Sequence, residues 1–142
     1  MDTPRSPLAA WLRRLALLAL VLPALALAQP YKVVMQVSDA DPAKWNLALN
    51  NARNIQSDLG ASNVEVEIVA YGPGIGMLKA ESPVANRIGE ALKANTKIVA
   101  CENTMAAQKL TQADMLPAVG YVPSGAVELI KRQREGWAYL RP

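Results

Sequence analysis

The chain has 142 residues, with one Cys, no His and no Phe, 15 Lys and Arg against 12 Asp and Glu, and 51% hydrophobic residues. Lacking His, it offers no Ser-His-Asp triad, no Cys-His pair and no imidazole metal ligand; with one Cys it offers no internal disulfide, no CxxC redox pair and no multi-cysteine zinc or iron–sulfur site. The length suits one domain with one core, and the composition is not that of a disordered chain.

Arg5, Arg13 and Arg14 give a positive start, and Leu15 to Ala28 is an apolar run that closes on Ala26-Leu27-Ala28. A positive region, an apolar region and an A-x-A ending form the pattern of a secretory signal peptide, so residues 1–28 are assigned to one. The apolar run has 14 residues and is interrupted by Pro23. It falls short of the roughly 18 residues a spanning helix needs, which weighs against an uncleaved anchor. Arg13-Arg14 lacks the rest of a twin-arginine signal, and no Cys follows the run to carry a lipid. The mature domain is then residues 29–142 and the expected location is periplasmic. It keeps 12 basic and 11 acidic groups. That near-neutral balance gives no case for nucleic acid, or for a membrane surface after cleavage.

Tyr31 to Ser38 is β-branched and almost continuously apolar, as in a strand buried on both faces. Asp41-Pro42 suits a helix cap and first turn, and Trp45, Ala48, Leu49, Ala52, Ile55 and Leu59 recur at helical spacing up to Gly60. Val64 to Tyr71 alternates, with Glu65 and Glu67 on one face, and reads as a strand near an edge where both carboxylates stay wet. A glycine turn over residues 72–76 follows. Ser82-Pro83 caps a second helix with Val84, Ile88, Ala91 and Leu92 on its apolar face. Lys97 to Cys101 is a third strand, a helical stretch spans about Thr104 to Leu110, and Thr111-x-x-Asp114 resembles a capping box. Val119 to Val122, a helix from Ser124 to Glu135 stopped by Gly136, and Trp137 to Leu140 complete the order. Alternating strands and helices predict a three-layer α/β/α sandwich with a mainly parallel sheet of about five strands and right-handed connections.

Cys101 is the first candidate site residue, at the carboxyl end of a strand, where ligands bind in open α/β sheets. The amides of a following helix would help such a thiol ionise. The competing reading is a small buried hydrophobe that continues Ile98-Val99-Ala100. Gly72, Gly74 and Gly76 let a backbone approach a ligand, but Gly-Pro-Gly-Ile-Gly-Met is neither GxGxxG nor a P-loop, and a tight turn that needs unusual backbone angles is the favoured reading. Ser124 and Gly125 stand at a helix start beyond a strand end, where a simple cap is sufficient. Lys131, Arg132 and Arg134 read as a solvated complement to the helix dipole. Asp39 and Asp41 suggest a cation site only weakly, because Asp41 before Pro42 is already a cap. No metal or cofactor is expected. The six mature aromatics, Tyr31, Trp45, Tyr71, Tyr121, Trp137 and Tyr139, read as core and interface packing.

Several phrases, in order, resemble the DsrE/DsrF-like family and in particular its small stand-alone members. They are Tyr31-Lys32-Val33-Val34, Val69-Ala70-Tyr71-Gly72-Pro73-Gly74 and Ala100-Cys101-Glu102-Asn103-Thr104-Met105. Downstream come Leu116-Pro117-Ala118-Val119, Val122-Pro123-Ser124-Gly125-Ala126-Val127-Glu128-Leu129 and Gln133-Arg134-Glu135-Gly136-Trp137-Ala138-Tyr139-Leu140. The resemblance implies an α/β sandwich, homo-oligomers or mixed oligomers, and in one branch a cysteine that carries sulfur as a persulfide between proteins. Cys101 is the position that matches that cysteine. On this reading it receives sulfane sulfur and yields it to an acceptor, with Asn103, Thr104 and nearby amides holding the thiolate, and a donor or acceptor protein is the implied partner. The alternative is a binding or assembly module without chemistry, in which Cys101 is packing and the glycine turn with Ser124-Gly125 frames a pocket or an interface. A nucleotide-dependent enzyme lacks a complete phosphate-binding motif.

Overall fold

The structure is a computed structural model and describes residues 29–142; the signal-peptide assignment lies outside these residues. Five strands form one sheet: β1 (Tyr31–Val37), β2 (Val64–Ala70), β3 (Thr96–Cys101), β4 (Gly120–Val122) and β5 (Ala138–Leu140). Their order is β4-β3-β2-β1-β5 and all four pairings are parallel. The helices are α1 (Pro42–Leu59), α2 (Ala85–Lys93), α3 (Glu102–Ala107) and α4 (Gly125–Arg134), with 3-10 turns at Gly72–Leu78 and Gln112–Asp114. Among the described residues no helix is long and apolar enough to cross a membrane.

Alternation along the strands divides the apolar residues between two cores. Val33, Met35, Ile68, Ala70 and Ile98 face Trp45, Leu49 and Ala52 of α1 and Ile88 of α2. Val34, Val69, Val99 and Val122 face Leu129 of α4 and Trp137. Burying an Ile or Met as completely as Ile68 or Met35 is worth about 1.5–3 kcal/mol. The division follows the topology. The connections β1 to β4 step across the sheet in one direction, while the connection through α4 steps back across it to reach β5 beside β1. With right-handed crossovers, reversing direction carries the returning helix to the opposite face.

The local signals act as their chemistry requires. Asp41 Oδ1 accepts the Ala43 amide at 2.8 Å to start α1, and Gly60 ends it at φ +85°. Ser124 caps α4, and Gly136 follows that helix at φ +84°. Thr111 and Asp114 form a full capping box, around a 3-10 turn. Ser82 lies in the turn before α2 instead of capping it, since the residue at the cap position is Val84.

Two expectations are corrected. β2 is the central strand of the sheet, not an edge strand, and Glu67 is wholly buried while Glu65 is exposed. Arg132 is not solvated: its side chain is 20% exposed and lies 2.6 Å from Glu67 Oε2 through Nε. The two errors have one cause. Helix α4 brings a cation onto the sheet face where Glu67 emerges, and Lys97 of the neighbouring strand adds a second at 3.3 Å. Burial of the carboxylate is tolerated because its countercharges are delivered by tertiary contact, which strand alternation does not encode. The Arg132–Glu67 approach is close but not aligned as a hydrogen bond. Arg132 also stacks on Trp137, 4.7 Å from the ring centre, and reaches Glu128 and Glu135.

Candidate functional site

The candidate site lies at the carboxyl ends of β3 and β4. Leaving β3, the chain enters α3, whose Met105 joins the first core. Leaving β4, it enters α4, whose Leu129 joins the second. Adjacent strands whose continuations part to opposite faces open a gap at the sheet's edge, the place where open α/β sheets bind ligands. Cys101 ends β3 at this gap, paired in register with Val122 of β4, and is 4% exposed.

The sulfur meets donors from two segments, the starts of α3 and α4. Burial pushes the Cys101 thiol up, but hydrogen bonds from the Thr104 hydroxyl and from the amides of Gly125, Thr104 and Asn103 outweigh it, and the net displacement is downward from the ordinary 9.0. Thr104 Oγ1 in turn accepts the Gly72 amide at 2.9 Å, so the hydroxyl hydrogen is left for the sulfur. The Asn103 amide also faces Pro123 O at 3.1 Å. It is shared, and the thiolate depends first on Thr104 and Gly125.

The model of the DsrE/DsrF-like family matches residues 32–142. The chain belongs to the DsrE/DsrF-like family. It is also similar to a solved protein of unknown function from Methanobacterium thermoautotrophicum, with 35% identity, 79% of this chain and 99% of that chain covered, and a TM-score of 0.75. A second solved structure, a conserved protein of unknown function from Bacteroides thetaiotaomicron, shares the fold at a TM-score of 0.64 with 14% identity, over 78% of this chain and 94% of that one. No curated protein is similar enough in sequence to count as a relative.

In this DsrE/DsrF-like chain, the structure gathers Cys101, Gly72, Asn103, Thr104 and Gly125 at one place. Ser124 stands beside them as the cap of α4, its hydroxyl turned to the Val127 amide at 3.5 Å. Gly74 and Gly76 are occupied by packing. A Cβ on Gly74 would lie 2.2 Å from Val37 O, and one on Gly76 would lie 3.2 Å from the Trp45 ring. Asp39 pairs with Lys44 at 3.2 Å and Arg141 at 3.5 Å, while Asp41 caps α1. Among the described residues no cluster of three or more Cys, Asp or Glu side chains is arranged to hold a metal ion.

Tyr71 is the residue sequence reasoning left in the packing list. It follows Ala70, which pairs with Ala100, so it stands one step beyond the last rung and level with Cys101. Its ring lies 3.0 Å from where a Gly125 Cβ would be, which explains why Gly stands at that position. Burial, with Tyr139 and Cys101 nearby, raises the Tyr71 phenol above its ordinary 10.0 against the pull of Arg141. It therefore remains a neutral hydrogen-bond donor at neutral pH. Tyr139 in turn donates its hydroxyl to Gln36 Oε1. The strand register carries this relation: β2 ends at Ala70 opposite Ala100, and Tyr71 and Cys101 are the next residues of their two segments.

Proposed function

We propose that the chain is an exported, periplasmic sulfur-handling protein in which Cys101 carries sulfane sulfur as a persulfide. Its family is associated with sulfur relay, and the single observation that carries the reading is the Gly72–Thr104–Cys101 arrangement, with Gly125 as a further donor. These donors favour the thiolate, the nucleophilic form. The Cys101 thiolate attacks the outer sulfur of a donor R–S–SH; a new S–S bond forms, the donor S–S bond breaks, and R–S⁻ leaves. An acceptor thiolate then attacks the outer sulfur of the Cys101 persulfide and releases the Cys101 thiolate. The two exchanges are redox neutral and call for no cofactor. The same donors that hold the thiolate stabilise Cys101 as the leaving group in the second exchange.

Export is supported by the apolar stretch Leu15 to Ala28 and its A-x-A ending. The reading includes a homo-oligomer and a donor or acceptor protein. Exposed Val127 and Ile130 on α4, with Tyr139 and Leu140 on β5, supply apolar surface for such contacts. The second reading, a binding or assembly module without chemistry, is favoured by the 4% exposure of Cys101. Transfer of labelled sulfur from polysulfide to glutathione separates the two: the sulfur-carrier reading expects transfer that Cys101→Ser abolishes without altering the oligomer. Equal transfer by Cys101→Ser, or none by the native chain, supports the second reading. Cell fractionation with N-terminal sequencing tests export, with Gln29 expected as the first residue of periplasmic protein.

A further inference from the structure

A cavity lies at the far end of β3 from Cys101, between α1 and α2. Its volume is about 170 Å³. Leu49, Arg53 and Gln56 line it from α1, at the three- and four-residue spacings that place side chains on one helix stripe. Arg87, Glu90 and Ala91 line it from α2, and Thr96 closes it from the first position of β3. Thr96 is 2% exposed and its Oγ1 has no hydrogen-bond partner in the protein. Gln56 is 9% exposed, and its Nε2 is held by Ala94 O at 2.8 Å. The cavity thus has a buried polar end, apolar walls at Leu49 and Ala91, and a charged rim.

The rim is set for an anion. Arg87 is strapped to α1 by the Asn50 side-chain oxygen at 2.6 Å and by Asn46, which fixes a guanidinium without neutralising it. Among the described residues neither Arg53 nor Arg87 forms an ion pair. Glu90 is the one carboxylate in the lining, so two cations and one anion leave a single positive charge. A buried hydroxyl without a partner requires an oxygen or nitrogen from water or from a guest. A cavity of about 150 Å³ takes a guest the size of benzene, which sets the scale at about six or seven heavy atoms.

We infer that this cleft binds a small monocarboxylate carrying a second polar oxygen, its carboxylate at Arg53 and Arg87 and its other oxygen at Thr96. The site is independent of Cys101, which lies on the order of 16 Å away along β3. Burial orders the contacts: the arginines sit at the mouth, where a charge keeps part of its hydration, and the hydroxyl sits where a neutral oxygen is tolerated. Inorganic phosphate, a dianion without an apolar body, fits neither the net charge nor the walls.

The test is a titration of the full chain, labelled with ¹⁵N, with 4-hydroxybutanoate, butanoate and inorganic phosphate, followed by amide NMR. Saturable shifts at Gln56, Ala94 and Thr96 are expected with 4-hydroxybutanoate at a dissociation constant of about 0.1–1 mM, with butanoate at least about fivefold weaker. Thr96→Val is close in shape and should bring the two carboxylates to equal affinity. Arg53→Gln changes an exposed residue, leaves the fold intact, and should weaken both about tenfold. No saturable shift with either carboxylate, shifts centred on Cys101, a preference for phosphate, or a Thr96→Val chain that still prefers 4-hydroxybutanoate would each overturn the inference.

Discussion

Thr104 Oγ1 accepts the backbone amide of Gly72 at 2.9 Å, and that bond leaves the Thr104 hydroxyl hydrogen available to the Cys101 sulfur. The glycine turn after β2 thereby acts on the thiol at the end of β3 without touching it. Gly72 is at φ +53°, a conformation that a β-branched residue resists.

The thiol should therefore titrate below 9.0, and Thr104→Val should raise its pKa. A depressed thiol pKa contributes stability above the unfolded value, and this contribution is lost as pH falls through the folded value. Iodoacetamide alkylation measured against pH checks both points. The native midpoint is expected below 9.0, with the Thr104→Val midpoint shifted upward. Coincident midpoints would remove Thr104 from the account.

Breaking the buried ion pair should be costly. Arg132→Ala leaves Glu67, with no solvent exposure, facing only Lys97. Urea denaturation is expected to show a loss of about 3–5 kcal/mol. The double change Glu67→Met with Arg132→Met should recover most of it, because the unpaired charge is gone. A double variant no more stable than Arg132→Ala would mean that packing of Arg132 on Trp137, not charge, dominates.

Two glycines should respond in opposite directions. Gly74→Ala drives a Cβ to 2.2 Å from the Val37 carbonyl oxygen, so a loss of about 3 kcal/mol or more is expected. Gly89 lies within α2 with nothing inside 4 Å of its added Cβ, and Gly89→Ala should stabilise by about 0.5–1 kcal/mol. Thermal melts of the two variants decide the matter.

Much of this was legible in the chain because it is local. The first strand, read from Tyr31 to Ser38 and observed over Tyr31–Val37, the Asp41 cap, Gly60, the Thr111–Asp114 box and Gly136 each depend on a few neighbouring residues, and they stand where the pattern placed them to within a residue. The alternation of strands and helices carried the parallel sheet and put Cys101 at a strand end, and the family phrases agreed with both. What stayed hidden depends on strand order. Glu67 looked wet because alternation reports a face, not what covers it, and the covering residue Arg132 is 65 positions away in the chain. Tyr71 looked like packing because its place beside Gly125 follows from β3 lying between β2 and β4. The cleft at Thr96 was equally unreadable, since α1 and α2 each contribute a stripe that reads as an ordinary helix surface.

The most direct measurement of the central claim is intact-mass spectrometry of the native protein before and after exposure to polysulfide. The account expects Cys101 to gain the mass of sulfur, reversibly under reductant, with no gain in Cys101→Ser. A native thiol that stays unmodified and reacts only after denaturation would contradict it and leave Cys101 as buried packing.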